Sequence, residues 1–135
     1  MICFDTNVVI AVLNRAAPRV ETHLLAALKR RQPVAISCIV VFELWYGAHK
    51  SVRVADNARR LEEFLTAPVD VLPFDAADAR EAGDIRAAVE RRGTPIGPFD
   101  ILIAAQARRR GATLVTANER EFARVPGLKT QDWAA

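Results

Sequence analysis

The stretch MICFDTNVVIAVL, residues 1–13, decides the fold of this chain. Residues 2–4 form an apolar run with the length of a buried strand, and residues 8–13 can form about two turns of helix. A polar tip, Asp5-Thr6-Asn7, lies between them. Because ligands of open α/β sheets bind outside the carboxyl ends of the strands, this tip predicts a carboxylate in a functional crevice. Capping of the following helix is the alternative role for these side chains.

Length and composition are typical of one folded domain spanning residues 1–135, with 51% hydrophobic residues available for a core. No apolar run approaches the ~20 residues of a membrane span, and the N-terminus does not resemble a signal peptide. We therefore expect a cytoplasmic protein with no membrane partner. The net charge of +3 permits a nucleic-acid partner without requiring one. Cys3 and Cys38 lie in apolar runs without CxxC spacing, so we expect buried thiols.

Strand-like and helix-like segments alternate along the rest of the chain. Further strands are predicted at 34–36, 69–72, 112–116 and 127–130, and helices at 18–31, 39–50, 54–65, 75–92 and 98–110. This alternation is typical of a parallel sheet with helices on both faces. We therefore predict an α/β fold whose central, mostly parallel sheet has four to five strands.

Glu43 interrupts the apolar helix predicted at 39–50. A carboxylate among apolar neighbours is costly unless it is paired or bound to a cation, which favours a functional role. Gly47 follows one turn later, where glycine costs about 1 kcal/mol relative to alanine, and would suit a close approach to the helix. The simpler interpretation is that Glu43 lies on an exposed stripe and Gly47 marks a helix end.

Asp100 lies in the first turn of the helix that Pro98 begins, where the helix dipole favours an anion. A helix-start carboxylate is a common structural feature, but this helix is apolar almost all round. Its polar end should therefore lie at the edge of the sheet that also carries Asp5. Arg108-Arg109-Arg110 is expected to be an exposed last turn. The strand at 112–116 ends in a second polar tip, residues 116–119.

Asp5, Glu43 and Asp100 each interrupt an apolar element near a predicted strand end. Three carboxylates in one crevice repel each other unless they share protons or bind a cation. Oxygen ligands without histidine or cysteine favour Mg²⁺, with Mn²⁺ as the alternative, and such an ion suits phosphate chemistry. The chain has neither a phosphate-binding GxxxxGK[ST] loop nor a nucleophilic serine or cysteine elbow.

Four motifs in order carry a resemblance to a known family. They are Asp5-Thr6-Asn7, Glu43-Leu44-x-x-Gly47, Gly97-Pro98-x-Asp100-x-x-Ile103-Ala104-Ala105, and Thr116-Ala117-Asn118-x-x-Glu121-Phe122. Together they resemble the PIN domain, and more narrowly the VapC toxins of type II toxin–antitoxin pairs. The resemblance extends over the whole chain.

The resemblance implies a three-layer α/β/α fold and a Mg²⁺-dependent endoribonuclease that hydrolyses RNA phosphodiester bonds with metal-activated water. Asp5, Asp100 and Glu43 would hold the metal, and Thr6 would support the site by hydrogen bonding. Asn118 stands near the place of the family's fourth acid, beside Glu119, and would position water or phosphate.

The family also implies a homodimer, a cognate VapB-like antitoxin and an RNA substrate, often transfer RNA. Two alternatives remain beside the nuclease. The missing fourth acid permits a catalytically inactive binding module with the same fold. A receiver-like Mg²⁺-binding regulatory domain would also gather acids at strand ends, but Asp5 lacks the acidic neighbour that such a domain needs.

Overall fold

A computed structural model describes residues 1–135 and contains one sheet of five strands, all of them parallel. The strands are β1 (Ile2–Phe4), β2 (Val34–Ser37), β3 (Asp70–Leu72), β4 (Thr113–Val115) and β5 (Lys129–Gln131). The predicted parallel sheet is confirmed. β3 and β5 each begin later in the chain than predicted. At β5 the difference arises because Gly127 adopts a positive φ of 77° and belongs to the preceding turn.

Seven helices connect the strands. They are α1 (Thr6–Leu13), α2 (Pro18–Lys29), α3 (Cys38–Lys50), α4 (Val54–Leu65), α5 (Ala76–Arg91), α6 (Pro98–Arg109) and α7 (Glu119–Phe122). Because crossovers between parallel strands are right-handed as a rule, the strand order places α1–α4 on one face of the sheet and α5–α7 on the other. This is the three-layer α/β/α arrangement that the resemblance implied. None of the helices combines the length and apolar character that a membrane crossing requires.

The strand order is β3-β2-β1-β4-β5, so the direction of winding reverses between β1 and β4. The first crossovers lead from β1 outward to β3, and the chain then returns across the sheet to place β4 on the other side of β1. Such a reversal opens a crevice outside the carboxyl ends of the two central strands. The order also excludes the receiver-like alternative, because that fold has the order 2-1-3-4-5.

Local capping signals in the sequence set where several helices begin. The Ser37 hydroxyl accepts a hydrogen bond from the Ile39 amide at the start of α3. Asp75 and Asp78 form a reciprocal capping box at the start of α5. Pro98 occupies the first turn of α6, where its missing N–H is no loss. These short-range interactions fix the ends of the helices that frame the crevice.

The sequence suggested an exposed turn at the end of α6, but only Arg109 is exposed, and all three arginines there form ion pairs. Arg109 Nε and Arg110 Nη1 donate to Asp78 Oδ1 at 2.7 and 3.0 Å, and Gln106 Nε2 donates to Asp78 Oδ2 at 3.1 Å. Arg108 pairs with two acids of α5. The run of positive charge therefore joins α6 to α5, because the Asp78 carboxylate is fully buried and requires these donors.

Burial alone would raise the pKa of Asp78, but the hydrogen bonds from Arg110 and Arg109 outweigh it and hold that pKa far below its ordinary value. A depressed pKa stabilises the folded state above the unfolded pKa, and this stabilisation is lost as the pH falls.

Asp78→Asn should lower the free energy of unfolding by about 3 kcal/mol or more near neutral pH, because two arginines lose their buried counter-charge. The loss should shrink as the pH falls below about 4, because the unfolded wild-type chain then binds a proton at Asp78 while the folded chain keeps the carboxylate ionised, and this lowers the stability of the wild type. Urea denaturation at a series of pH values measures both effects. Asp75→Asn, at a half-exposed capping position where asparagine also serves, is the matched control and should change stability little. Equal effects of the two variants would contradict the network's importance.

Candidate active site

Asp5 lies directly after β1, and its carboxylate is almost fully buried, with 6% of the residue exposed. Its Oδ1 accepts a hydrogen bond from the Thr6 amide at 2.8 Å, so Asp5 is the N-cap of α1. Its Oδ2 accepts a hydrogen bond from the Thr116 hydroxyl, directly after β4, at 2.9 Å. Capping and a place in the crevice are therefore compatible for this residue. The hydrogen bond from Thr116 to Asp5 links the ends of the two central strands, β1 and β4, where the strand order reverses.

Glu43 is brought to the same crevice by α3, which packs against α1. The Thr6 hydroxyl donates to Glu43 Oε1 at 2.7 Å. Thr6 thus contacts Asp5 through its backbone and Glu43 through its side chain. One residue orients both carboxylates.

Asp100 and Glu121 form the opposite side of the crevice. Asn118 Nδ2 donates to Glu121 Oε2 at 2.6 Å, and the Gly97 amide donates to Glu121 Oε1 at 3.2 Å. A Cβ atom at position 97 would lie 3.4 Å from Asp100 Oδ2, in van der Waals contact with that carboxylate. The start of α6 and the start of α7 therefore hold the two acids side by side.

The four carboxylates repel one another. The pKa of Asp100 is raised to about 7: burial is the largest cause, and the negative charges of Asp5, Glu121 and Glu43 add to it. Burial also raises the pKa of Asp5, against the opposing hydrogen bonds from Thr116 and Thr6. None of the ion pairs in the protein involves these four acids. The crevice therefore carries excess negative charge.

The donor set of the crevice suits a hard divalent cation, since it consists of carboxylate oxygens without nitrogen or sulfur ligands. The side chains are not arranged as a finished metal centre, because no three acidic, histidine or cysteine side chains are positioned to share an ion as they stand.

Glu121 is the residue that the sequence interpretation missed. We considered Asn118 and Glu119 at the fourth-acid position, but Glu119 accepts a hydrogen bond from the Thr130 hydroxyl at 2.7 Å, beside β5. Asn118 instead orients Glu121, whose carboxylate is electrostatically coupled to Asp5 and Asp100. The available signal was the spacing of Asn118 and Glu121, which lie three residues apart at a helix start and so share one side of that turn.

The comparison with known proteins agrees with this architecture. Residues 2–128 match the PIN domain family. The chain is 44% identical over 131 residues to the tRNA(fMet)-specific endonuclease VapC of Shigella flexneri, covering 96% of both chains. It is 36% identical over 129 residues to ribonuclease VapC2 of Rickettsia felis, covering 96% of this chain and 95% of the relative.

Solved structures give the same result. VapBC2 of Rickettsia felis, bound to a DNA fragment from its promoter, superposes with a TM-score of 0.92 at 34% identity. That match covers 98% of this chain and 99% of the other. DNA-bound VapBC of Salmonella typhimurium superposes with a TM-score of 0.90 at 37% identity, covering 98% and 97%.

The fold and the crevice define an α/β protein that gathers acidic side chains where its parallel sheet reverses. The chain belongs to the PIN domain family. Within that family it is a VapC-like member, as the identity over nearly the whole of both chains shows.

Asp100→Asn should stabilise the metal-free protein, because it removes a repelled carboxylate. The pKa of Asp100 is about 3.9 in the unfolded chain and about 7 in the folded chain. At pH values between the two, folded Asp100 keeps a proton that the unfolded residue has lost. Wild-type stability should therefore fall as the pH rises through this window. With allowance for solvent screening, we expect a gain of about 1–2 kcal/mol for the variant at about pH 8, and little gain at about pH 4.

Denaturation in EDTA at both pH values measures this difference. Asp70→Asn, at an exposed aspartate of β3, is the matched control and should show no such pH dependence. A variant less stable than wild type at the higher pH would contradict the repulsion.

Proposed function

We propose that the protein is a metal-dependent endoribonuclease, the toxin of a type II toxin–antitoxin pair, which hydrolyses RNA phosphodiester bonds. The observation that carries the proposal is the group of four coupled carboxylates at the sheet reversal, which has no cationic side chain to neutralise it. The names of the relatives, which include a tRNA endonuclease and a ribonuclease, support the nuclease and make transfer RNA the first substrate to examine.

Mg²⁺, or Mn²⁺, would be held by Asp5, Asp100 and Glu43, with Glu121 as a fourth ligand. When bound, the ion would lower the pKa of water and offset the negative charge that develops on the phosphate. Its positive charge would also reverse the repulsion that raises the pKa of Asp100, so that the acids could be ionised together.

The other side chains would orient the carboxylates. Thr116 and the Thr6 amide fix the two oxygens of Asp5. The Thr6 hydroxyl binds Glu43 Oε1, which leaves Oε2 free to hold the ion or to accept a proton from the attacking water. Asn118 would position Glu121, a role that replaces the water or phosphate contact proposed for it from the sequence.

The inactive binding module is the second candidate. It depended on the absence of a fourth acid, and the Glu121 carboxylate at the site removes the main reason for it.

Purified protein should cut total cellular RNA, including transfer RNA, at discrete positions with Mg²⁺ or Mn²⁺ and not with EDTA. Asp5→Asn, Asp100→Asn and Glu121→Gln should each lower the rate by at least about 100-fold, because each removes a charge from the site that holds the cation. Asp70→Asn is the matched control and should cut normally. Sequencing of the cleaved ends gives the target.

Binding of the ion is measured independently of cleavage. Mg²⁺ should raise the wild-type unfolding temperature, and Asp100→Asn should reduce that shift. Metal binding without cleavage by protein shown to be free of antitoxin would favour the binding module. No binding and no cleavage would refute the proposed metal site altogether.

We further propose a homodimer that a VapB-like antitoxin inhibits. A groove between α1, α3 and α4 reaches Glu43 and presents the side chains of Ile10 and Leu13 to a partner segment. A partner lying in this groove would block the acidic site at its end. Co-expression with the cognate antitoxin should give a complex that elutes as one species and does not cut RNA.

The homodimer is tested separately. Light scattering of the free protein should give the mass of two chains.

A further inference from the structure

The exposed aromatic side chains are gathered in one place. The chain has six Phe, two Trp and one Tyr, and three of these residues are exposed: Phe42 by 54%, Tyr46 by 58% and Phe99 by 44%. All three line a single cleft of about 470 Å³. Because a folded chain ordinarily buries such rings, an exposed cluster marks a surface that binds something.

The cleft adjoins the acidic crevice. Thr6 and Glu43 line it together with the aromatic rings. Phe42 directly precedes Glu43 in α3, and Phe99 directly precedes Asp100 in α6. The two phenyl rings meet with their centroids 5.5 Å apart and tilted by 59°. A molecule with a phosphate at the carboxylates would therefore place its neighbouring group against these rings.

The side chain of Lys50 adds a positive charge to the lining of the cleft. Phe42, Tyr46 and Lys50 follow one another at intervals of four residues and so share one face of α3. Lys50 Nζ lies 4.7 Å from the centroid of the Tyr46 ring and forms no ion pair with an acid. Its ammonium group is therefore free to bind a phosphate.

Gly47 keeps the cleft open between these side chains. It also lines the cleft, and a Cβ atom at this position would meet nothing within 4 Å. A larger side chain would project into this empty space one turn after Glu43. This gives a physical reason for a glycine in the middle of α3, where it weakens the helix.

We propose that this cleft binds an unpaired nucleobase of the RNA next to the phosphodiester that is cut. The base stacks on Phe42, Phe99 and Tyr46, and Lys50 binds a flanking phosphate. The inference rests on the proposed nuclease function and adds to it a base-binding subsite beside the carboxylates, which an unpaired nucleotide can enter. Stacked bases inside an RNA duplex could not reach the rings.

Aromatic faces combined with a cation favour this occupant over a protein segment. Base stacking on aromatic side chains tolerates any base, and the neighbouring lysine matches the charge of the backbone. An apolar peptide would leave the Lys50 ammonium group without a counter-charge.

Binding is measured in an Asp100→Asn background with Mg²⁺, so that the RNA is not cut. The probe is a short oligoadenylate with the fluorescent analogue aminopurine in place of one adenine, and fluorescence reports stacking. Phe42→Leu, Tyr46→Leu and Phe99→Leu, which keep an apolar side chain but remove the ring, should each weaken binding by about 5- to 100-fold. Tyr46→Phe keeps the ring and should bind normally. Leu25→Ala, at an exposed residue of α2 outside the cleft, is the matched control.

A second RNA makes the test specific. On an oligonucleotide with an abasic position in the cleft, Phe42→Leu should have little further effect, because the stacking partner is already absent. A fully paired duplex should bind with the same affinity whether or not the rings are present. Equal loss on the normal and the abasic RNA would overturn the stacking inference.

The outcomes separate this inference from the proposed nuclease. If the leucine substitutions leave RNA binding unchanged in the Asp100→Asn background and RNA cutting unchanged in the wild-type background, the cleft is not a base site and the nuclease stands. If the variants bind RNA normally but lose the dimer or the antitoxin, the aromatic surface is a protein interface and the inference is wrong. If wild-type protein neither binds nor cuts RNA, both proposals fail together.

Discussion

The hydrogen bond between Thr116 and Asp5 joins two strand ends that are 111 residues apart in sequence. It is formed because the chain returns across the sheet after β3 and inserts β4 beside β1. Two of the helices around the site begin near these strand ends: α1 directly after Asp5, and α7 directly after Asn118, whose backbone amide also donates to the Thr116 hydroxyl. The reversal of the sheet therefore determines which carboxylates can meet, and one buried hydroxyl determines how the first of them is oriented.

The protein has two acidic sites with opposite electrostatic surroundings, one at the buried Asp78 and one at the partly buried Asp100. Asp78 receives hydrogen bonds from two arginines and a glutamine, and its pKa falls far below the ordinary value. Asp100 faces other carboxylates, and its pKa rises to about 7. The first arrangement joins α5 to α6 and contributes to stability. The second opposes folding and is tolerated because the remaining fold supplies enough stability, which is common at functional sites.

The sequence predicted the fold well because the relevant signals are local. Strand length, the Asp75–Asp78 capping box and Pro98 each depend on a few neighbouring residues, and the alternation of elements then allows only a parallel sheet. The site was less predictable. Glu121 joins it through contacts with Asn118 and Gly97, and Gly97 is 24 residues away in the chain. No periodicity carries that information.

The same limit explains why the charged run Arg108–Arg110 was misinterpreted. A cluster of arginines at a helix end suits the negative end of the dipole and solvent equally well, and nothing nearby in sequence reveals a partner. The partner, Asp78, lies 31 residues before Arg109 and is buried only because α5 packs against α6. Sequence alone therefore revealed which residues carry charge, whereas the packing decided which charges are neutralised.

Helix α3 links the acidic crevice to its surroundings. Glu43 contacts Thr6, while Phe42 and Tyr46 lie on the adjoining exposed face and Leu44 turns into the core. A single helix can present three different surfaces because successive residues point about 100° apart. A shift of α3 by one residue would exchange the buried leucine for a carboxylate. The packing of Leu44 in the core thus fixes the position of Glu43 relative to the rings of Phe42 and Tyr46. A ligand that contacts both must match this separation.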